Sequence, residues 1–307
     1  MDPRVVLHQM LVLMLILVVG YIVAKTGVLE KHANLNFATL INYVTVPALI
    51  ISSTSGAAKV GSKFDSIFVL IMAVFSYVLF IGLALITPKI FKVQPDEEGI
   101  IQFLTVFANN GFMGFPVVQA IFGTGALFYA SIYNIPNNLL LYSIGIYMIT
   151  KGKRLNTISW RVILTNPATI ASVLALFFFF FDIQLPSILT QATESLGNIT
   201  SPLAMFLIGS SMADIDLLAA IRNVKLYLFA VFRMLLIPIL LWFVLRNFIS
   251  NEMILGVLIV IAAMPGPTMA VTLSTQYSGN TKLATGYVFL STVISVLTIP
   301  LISILFR

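Results

Sequence analysis

The sequence predicts an all-α integral membrane protein of ten transmembrane helices, arranged as two repeats of five with opposite orientations in the membrane. Three observations lead to this fold class. Of 307 residues, 59% are apolar and only 9% are charged, whereas charged residues make up about a quarter of a typical soluble domain. Ten apolar runs approach the length of about 20 residues that crosses a bilayer. Sequence motifs and helix breaks also recur five segments apart.

Clusters of charge, Gly and Pro separate the ten predicted segments. In chain order these segments are 5–24, 33–55, 66–88, 99–122, 125–149, 160–181, 186–212, 226–248, 253–277 and 283–306. The first follows Arg4, as the apolar region of a signal peptide would. Its run is long, however, and Lys25-Thr26-Gly27 does not resemble a small-residue cleavage site. We therefore predict that this segment is the first membrane helix.

The distribution of Lys and Arg predicts the orientation. One side of the predicted membrane carries five of these residues, namely Arg4, Lys59, Lys63, Arg246 and Arg307. The other side carries eleven, namely Lys25, Lys31, Lys89, Lys92, Lys151, Lys153, Arg154, Arg161, Arg222, Lys225 and Lys282. Because cytoplasmic loops are enriched in Lys and Arg, we expect both termini outside the cytoplasm and a multi-pass protein of the plasma membrane.

Two pairs of segments predict the inverted repeat. Thr45-Val46-Pro47 in the second segment matches Thr200-Ser201-Pro202 in the seventh. The fourth segment is interrupted at 109–116 and the ninth at 264–267. Each offset is five segments, an odd number, so the two halves must have opposite orientations, which is a common plan in secondary transporters. The halves are 1–150 and 160–307, joined by a short cytoplasmic linker at 151–159.

The breaks themselves predict anion binding. A new helix starts near Pro116 and another near Pro267, and helix N-termini with free N–H groups attract anions. No Asp or Glu occurs between 99 and 150 or between 253 and 277, but Asn109 and Asn110 lie at the first break. An amide can bind a carboxylate without the cost of burying a charge.

At these residues the chain resembles the auxin efflux carrier family, which includes the plant PIN carriers and prokaryotic relatives such as malonate permeases. The resemblance covers almost the whole chain and is most specific at 107–116 (FANNGFMGFP), Asn166-Pro167, 262–265 (AAMP) and Tyr277. It implies broken fourth and ninth helices that cross beside the substrate, as in sodium-proton antiporters and bile-acid transporters. It also implies a scaffold of helices 1, 2, 6 and 7, a transport unit of helices 3–5 and 8–10, and a homodimer.

The candidate substrate-binding residues lie at the breaks and on the fifth segment. They are Asn109, Asn110, Phe112, Met113, Pro116, Asn134, Asn138, Pro265 and Pro267. The family motif implies that Asn109 is the principal ligand, with helix capping as the alternative role. Asn134 and Asn138 are four residues apart and share a helix face. They either line the pocket or hold helices together.

Two charged residues are candidates for charge balance or coupling. Arg233 lies about eight residues inside the eighth segment, where it either serves function or extends toward the interface. Glu194 is the candidate for a proton-binding group if transport is coupled to H⁺. Sodium coupling would need only oxygen ligands, so Na⁺ and H⁺ both remain possible partners. We predict no metal or other cofactor and no nucleic-acid partner.

The sequence therefore predicts a carrier that moves a small organic anion, a carboxylate, by alternating access. The carboxylate is either an auxin-like monocarboxylate or a malonate-like dicarboxylate, and the apolar side chains near Phe112 would suit an aromatic acid. The alternative function is a sodium-coupled organic anion symporter of the bile-acid-transporter type. A passive channel is a further alternative. An enzyme is not predicted, because the chain has no Cys and no His-Glu-x-x-His or Gly-x-Ser-x-Gly motif.

Overall fold

The computed structural model describes residues 3–29, 33–54, 62–150, 165–213, 224–277 and 279–306. The predicted linker at 151–159 and the start of the sixth segment at 160–164 lie outside the described residues, as do the outermost residues of both termini. Within the described ranges the structure is helical and contains no β-strand.

Fourteen helices are described here, and the π-helical turns Ile41–Thr45 and Phe232–Leu236 are counted within α2 and α11. They are α1 (Pro3–Lys25), α2 (Ala33–Ser52), α3 (Lys63–Ile90), α4 (Glu98–Val106), α5 (Phe115–Phe122), α6 (Thr124–Leu140), α7 (Ile146–Thr150), α8 (Pro167–Phe180), α9 (Ser187–Asn198), α10 (Thr200–Met212), α11 (Val224–Leu245), α12 (Glu252–Ala262), α13 (Met269–Gln276) and α14 (Thr281–Ser303).

Six stretches among the described residues are long and apolar enough to cross a membrane. They are α1, α2, α3, the α4–α5 stretch, α11 and α14. α8 and α12 are apolar but shorter. The remaining predicted segments hold α6 with α7, and α9 with α10. Helical residues thus occupy every predicted segment, and the architecture is that of a multi-pass helical membrane protein.

Glycines let α1 and α10 pack backbone against backbone. Gly20 of α1 faces the backbone of Phe206, and Gly209 of α10 faces the backbone of Leu17. A Cβ atom at either glycine would overlap the facing carbonyl oxygen. Small residues at membrane helix interfaces allow this close approach, which maximises van der Waals contact where no hydrophobic effect acts between helices.

The helices pack as two groups. In the first group, α1 packs on α10, and α2 packs on α8, α9 and α10. In the second group, α3 packs on α4 and α6, and α11 packs on α12 and α14. α12 also packs on α5 and α6, and so connects these two sets of helices. The groups meet where α1 contacts α14 and where α6 contacts α8.

Four π-helical turns interrupt the described helices. They are Ile41–Thr45, Asn110–Gly114, Leu141–Gly145 and Phe232–Leu236. Three of them end two residues before a proline, at Pro47, Pro116 and Pro238. Proline lacks an N–H and its ring clashes with the carbonyl four residues earlier, which falls inside each of these turns. The helix therefore widens there, and such bulges often mark functional sites.

Two contacts join loops that the sequence assigns to the same side of the membrane. The Lys63 Nζ atom lies 2.6 Å from the Asp182 Oδ2 atom, in an exposed ion pair between two loops predicted outside. The Asn280 Nδ2 atom donates to the Asp96 Oδ2 atom at 3.2 Å, between two loops predicted inside. Both contacts agree with the predicted alternation of the segments.

Candidate functional site

The two predicted helix breaks lie against each other. Between α4 and the π-helical turn Asn110–Gly114 the chain leaves the helix, with Phe107 extended. Between α12 and α13 it leaves the helix again around Pro265. The backbone N–H of Asn109 donates to the Pro265 carbonyl at 2.9 Å. This hydrogen bond fixes one break relative to the other in the interior of the protein.

A cavity of about 400 Å³ opens beside this contact. Seven of its lining residues are asparagines, namely Asn42, Asn109, Asn110, Asn134, Asn137, Asn138 and Asn166. Tyr43, Phe112 and Tyr142 add aromatic surface, and Pro267 belongs to the second break. None of the described residues that line the cavity is charged. The cavity thus offers many neutral hydrogen-bonding groups around space for a small organic molecule.

Asn109 has one satisfied and one unsatisfied side-chain atom. Its Oδ1 atom accepts a hydrogen bond from the Phe112 N–H at 3.3 Å and so caps the turn that follows. Its Nδ2 atom is buried and has no hydrogen-bond partner among the described residues, and the residue as a whole is only 4% exposed. An unpaired buried donor is costly, so this amide is free to donate to an acceptor that enters the cavity.

Asn110 belongs to a buried hydrogen-bond network. Its Nδ2 atom donates to the Tyr77 hydroxyl at 3.1 Å, and that hydroxyl donates to the Asn137 Oδ1 atom at 2.9 Å. The Asn137 Nδ2 atom in turn donates to the Asn134 Oδ1 atom at 3.2 Å. The network orients three of the cavity amides, because each is held by at least one neighbour. The Oδ1 atom of Asn110 remains without a donor.

The network continues across the contact between α6 and α8. The Asn137 Nδ2 atom lies 3.4 Å from the Asn138 Oδ1 atom, and the Asn138 Nδ2 atom donates to the Thr169 Oγ1 atom at 3.1 Å. Thr169 lies in the first turn of α8, where its N–H is capped by the Asn166 Oδ1 atom at 3.1 Å. The Asn138–Thr169 bond therefore joins the two packing groups.

Arg233 lies in the interior rather than in the cavity wall. It is 1% exposed. It donates hydrogen bonds at the C-terminal ends of α4 and α12, the half-helices that lead into the two breaks. Its Nε atom donates to the Leu104 carbonyl at 3.1 Å and its Nη1 atom donates to the Ala262 carbonyl at 2.6 Å. Its guanidinium carbon lies 5.6 Å from the centre of the Phe80 ring. The arginine thus contacts the ends of both α4 and α12.

The structure brings most of the predicted site residues together. The cavity is lined by Asn109, Asn110, Phe112, Asn134, Asn138 and Pro267. Met113, Pro116 and Pro265 do not line it. Met113 instead lies beside Ser295 of α14, Pro116 is the second residue of α5, and Pro265 holds Asn109 through its carbonyl. Glu194 is exposed on α9, away from the cavity.

Sequence analysis did not select several lining residues. Asn137 does not belong to the i, i+4 pair formed by Asn134 and Asn138, and Asn42 and Tyr43 are marked in the sequence only by Pro47, five and four residues later. Two signals existed for these positions. Asn42 and Tyr43 lie in a π-helical turn ahead of Pro47, and Asn166 belongs to the Asn166-Pro167 motif. Within the described ranges, no three His, Asp or Glu side chains lie together in a way that could hold a metal ion.

A multi-pass helical fold, two touching helix breaks and a polar cavity whose described lining is uncharged are features of a membrane transport protein. The chain belongs to the membrane transport protein family, that of the auxin efflux carriers, whose model matches residues 5–303. It is a transport protein and not an enzyme. An uncharacterized transporter of Methanocaldococcus jannaschii is 26% identical over 304 residues, covering 95% of this chain and 96% of the relative. An uncharacterized transporter of Methanothermobacter thermautotrophicus is 23% identical over 299 residues, covering 97% of each chain.

Proposed function

We propose that this transport protein is a carrier for a small organic anion, a carboxylate, which it binds at the two helix breaks and moves by alternating access. The observation that carries the proposal is the buried, unpaired Nδ2 donor of Asn109 in a cavity whose described lining has no charge. A carboxylate supplies the acceptor that this donor lacks, and a hydrogen bond to a charged group is stronger than one between neutral groups.

The backbone around the cavity supports the same ligand. The cavity wall includes Gly111 and Phe112 ahead of α5, and Thr268 and Met269 at the start of α13. α5 continues the π-helical turn Asn110–Gly114, so this half-helix begins at the turn, where the Asn109 Oδ1 atom caps the Phe112 N–H. The N-cap residue of α13, Thr268, gives no side-chain cap, and the first N–H groups of a helix have no partner within the helix. Two positive helix ends therefore face the space where the anion would bind.

The proposal includes ten membrane crossings in two inverted repeats. The matching motifs of the second and seventh segments support it, as do helical residues in all ten segments. The division into a scaffold and a transport unit is supported by the packing of α1, α2, α8, α9 and α10 on one another. We further propose a plasma-membrane location with both termini outside the cytoplasm, following the bias of Lys and Arg, and a homodimer, following the family resemblance.

A sodium-coupled symporter is the second candidate function. Its support is the Asn110 Oδ1 atom, a buried acceptor for which the described residues supply no donor. Small hard cations prefer carbonyl, amide and carboxylate oxygens, and the cavity wall is rich in amide oxygens. Proton coupling through a carboxylate at the breaks has no such support, because none of the described lining residues is acidic. Proton antiport in liposomes without substrate would argue against the uncharged site proposed here.

Binding to the purified protein tests the proposal. Mono- and dicarboxylates, including indole-3-acetate and malonate, would be titrated calorimetrically with and without Na⁺, in the wild type and in Asn109→Ala. We expect selective carboxylate binding that Asn109→Ala weakens at least about tenfold, since a hydrogen bond to a charged group contributes about 1.5–3 kcal/mol. Equal binding in both proteins would place the site elsewhere. Binding that requires Na⁺ would favour the symporter.

A further inference from the structure

Arg233 balances the negative ends of two helices. Leu104 lies in the last turn of α4, and Ala262 is the last residue of α12. The end of a helix carries about half a negative elementary charge on its free carbonyl groups. Because Arg233 donates to a carbonyl at both ends, its single positive charge matches the sum of the two partial charges. The two carbonyls and the Phe80 ring offset part of the cost of burying this arginine, whose Nη2 atom has no hydrogen-bond partner among the described residues.

The positive ends on the other side of the breaks have no charged partner among the described residues that line the cavity. The π-helical turn that leads into α5 and the start of α13 both face the cavity, and each helix start carries about half a positive elementary charge. None of the described lining residues is acidic. With Arg233 matched to the carbonyl ends, the two breaks together therefore lack one negative charge.

We propose that Arg233 is a positioning residue which, by neutralising the carbonyl ends of α4 and α12, sets the site to accept anions that carry one negative charge. This inference rests on the proposed function and makes its substrate class more specific. A monocarboxylate restores neutrality at the breaks. A dicarboxylate leaves one unpaired negative charge in the membrane interior, because Arg233 bonds to the backbone behind the cavity and does not line it.

The inference predicts discrimination between probes of similar shape and different charge. Dicarboxylates and their monomethyl esters form such pairs, and malonate, succinate and phthalate provide three sizes. We expect the full-length wild type to bind a monoester at least about tenfold more tightly than its parent dianion, because an uncompensated buried charge is strongly unfavourable. Isothermal titration calorimetry on the purified protein measures both affinities.

Variants of Arg233 separate charge from structure. Arg233→Met should lower the affinity for the monoester by some factor. It should lower the affinity for the dianion by about the square of that factor, since Coulomb energy is proportional to ligand charge. A purely structural role would weaken both probes by the same factor. Arg233→Lys keeps the positive charge and should keep the preference for the monoester over the dianion. This variant still tests the inference if Arg233→Met does not fold. Arg246→Met removes an exposed arginine that stacks on Trp242 and should change neither affinity.

The outcomes distinguish this inference from the proposed function. A dianion that binds as tightly as its monoester overturns the role of Arg233, while loss of binding in Asn109→Ala would still support the carboxylate site. Failure of all three monoesters to bind also overturns the inference, because one charge then does not suffice. Failure of every carboxylate, indole-3-acetate included, overturns the proposed function as well.

Discussion

The side chain of Asn109 performs two tasks with two atoms. Its oxygen caps the Phe112 N–H and so stabilises the break, while its nitrogen has no partner in the part of the chain that the structure describes. The sequence alone presented capping and substrate binding as alternatives for this residue. In the structure they are compatible, since each task uses a different atom. The backbone bond to Pro265 holds the residue in place for both.

Asn109→Ser separates the two tasks. Serine is a good N-cap residue and can still accept from the Phe112 N–H, but it has no amide nitrogen to reach into the cavity. We expect thermal stability close to that of the wild type and carboxylate affinity reduced at least about tenfold. Thermal unfolding and calorimetric titration of the same preparation measure both quantities. Unchanged affinity would show that the free amide donor does not bind the substrate.

Tyr77 is the residue on which the amide network depends most. Tyr77→Phe removes the donor to the Asn137 Oδ1 atom and the nearer of two acceptors for the Asn110 Nδ2 atom, and leaving the buried Asn137 oxygen unpaired costs about 1–3 kcal/mol. We expect a lower unfolding temperature. Tyr129→Phe is the matched control, because the buried Tyr129 hydroxyl has no hydrogen-bond partner, and it should have little effect. Similar losses in both variants would mean that the network does not stabilise the site.

Among the structural elements, the positions of the two helix breaks could be predicted from the sequence, but the residues that contact each break could not. Gly and Pro mark both breaks, and Pro47, Pro116 and Pro238 mark three of the four π-helical turns through the missing N–H. The contact between Asn109 and Pro265 joins residues far apart in the chain, and the carbonyls that bind Arg233 carry no side-chain signature. Asn42 and Asn137 lie in separate helices, and only the packing of those helices brings both side chains to one cavity.

Glycine contacts between α1 and α10 give a test at this scale. Gly209→Ala places a methyl group against the Leu17 carbonyl, and such overpacking costs about 1–3 kcal/mol. Gly82→Ala in α3 is the control, since a Cβ there meets no atom within 4 Å and alanine favours the helix by about 0.5–1 kcal/mol. We expect thermal unfolding in detergent to show loss of stability in the first variant and none in the second. Equal stability of the two variants would contradict the close packing.

For the molecule as a whole, alternating access requires the two packing groups to move relative to each other. The proposed scaffold and transport unit meet at the Asn138–Thr169 hydrogen bond, which such a movement would break. The chain has no cysteine, so pairs of introduced cysteines can be cross-linked without background. This allows the movement to be tested directly.

A disulfide between Asn138→Cys and Thr169→Cys should block transport in liposomes, and a reductant should restore it. The comparison of oxidised and reduced protein removes any effect of the substitutions on binding. The control pair is Asn34→Cys with Ser210→Cys, which joins side chains that are hydrogen-bonded within the proposed scaffold. Its disulfide should leave transport unchanged. Equal transport by the oxidised and reduced 138–169 protein would argue against relative movement at this contact.

The central claim is that this protein is a carrier that binds a carboxylate through Asn109, and counterflow tests it most directly. Proteoliposomes loaded with the carboxylate that binds most tightly would be diluted into a trace of the same labelled compound. We predict transient, saturable accumulation of label in the wild type, independent of Na⁺ and lost in Asn109→Ala. A flux that does not saturate and shows no counterflow, or one that persists in Asn109→Ala, would contradict the account.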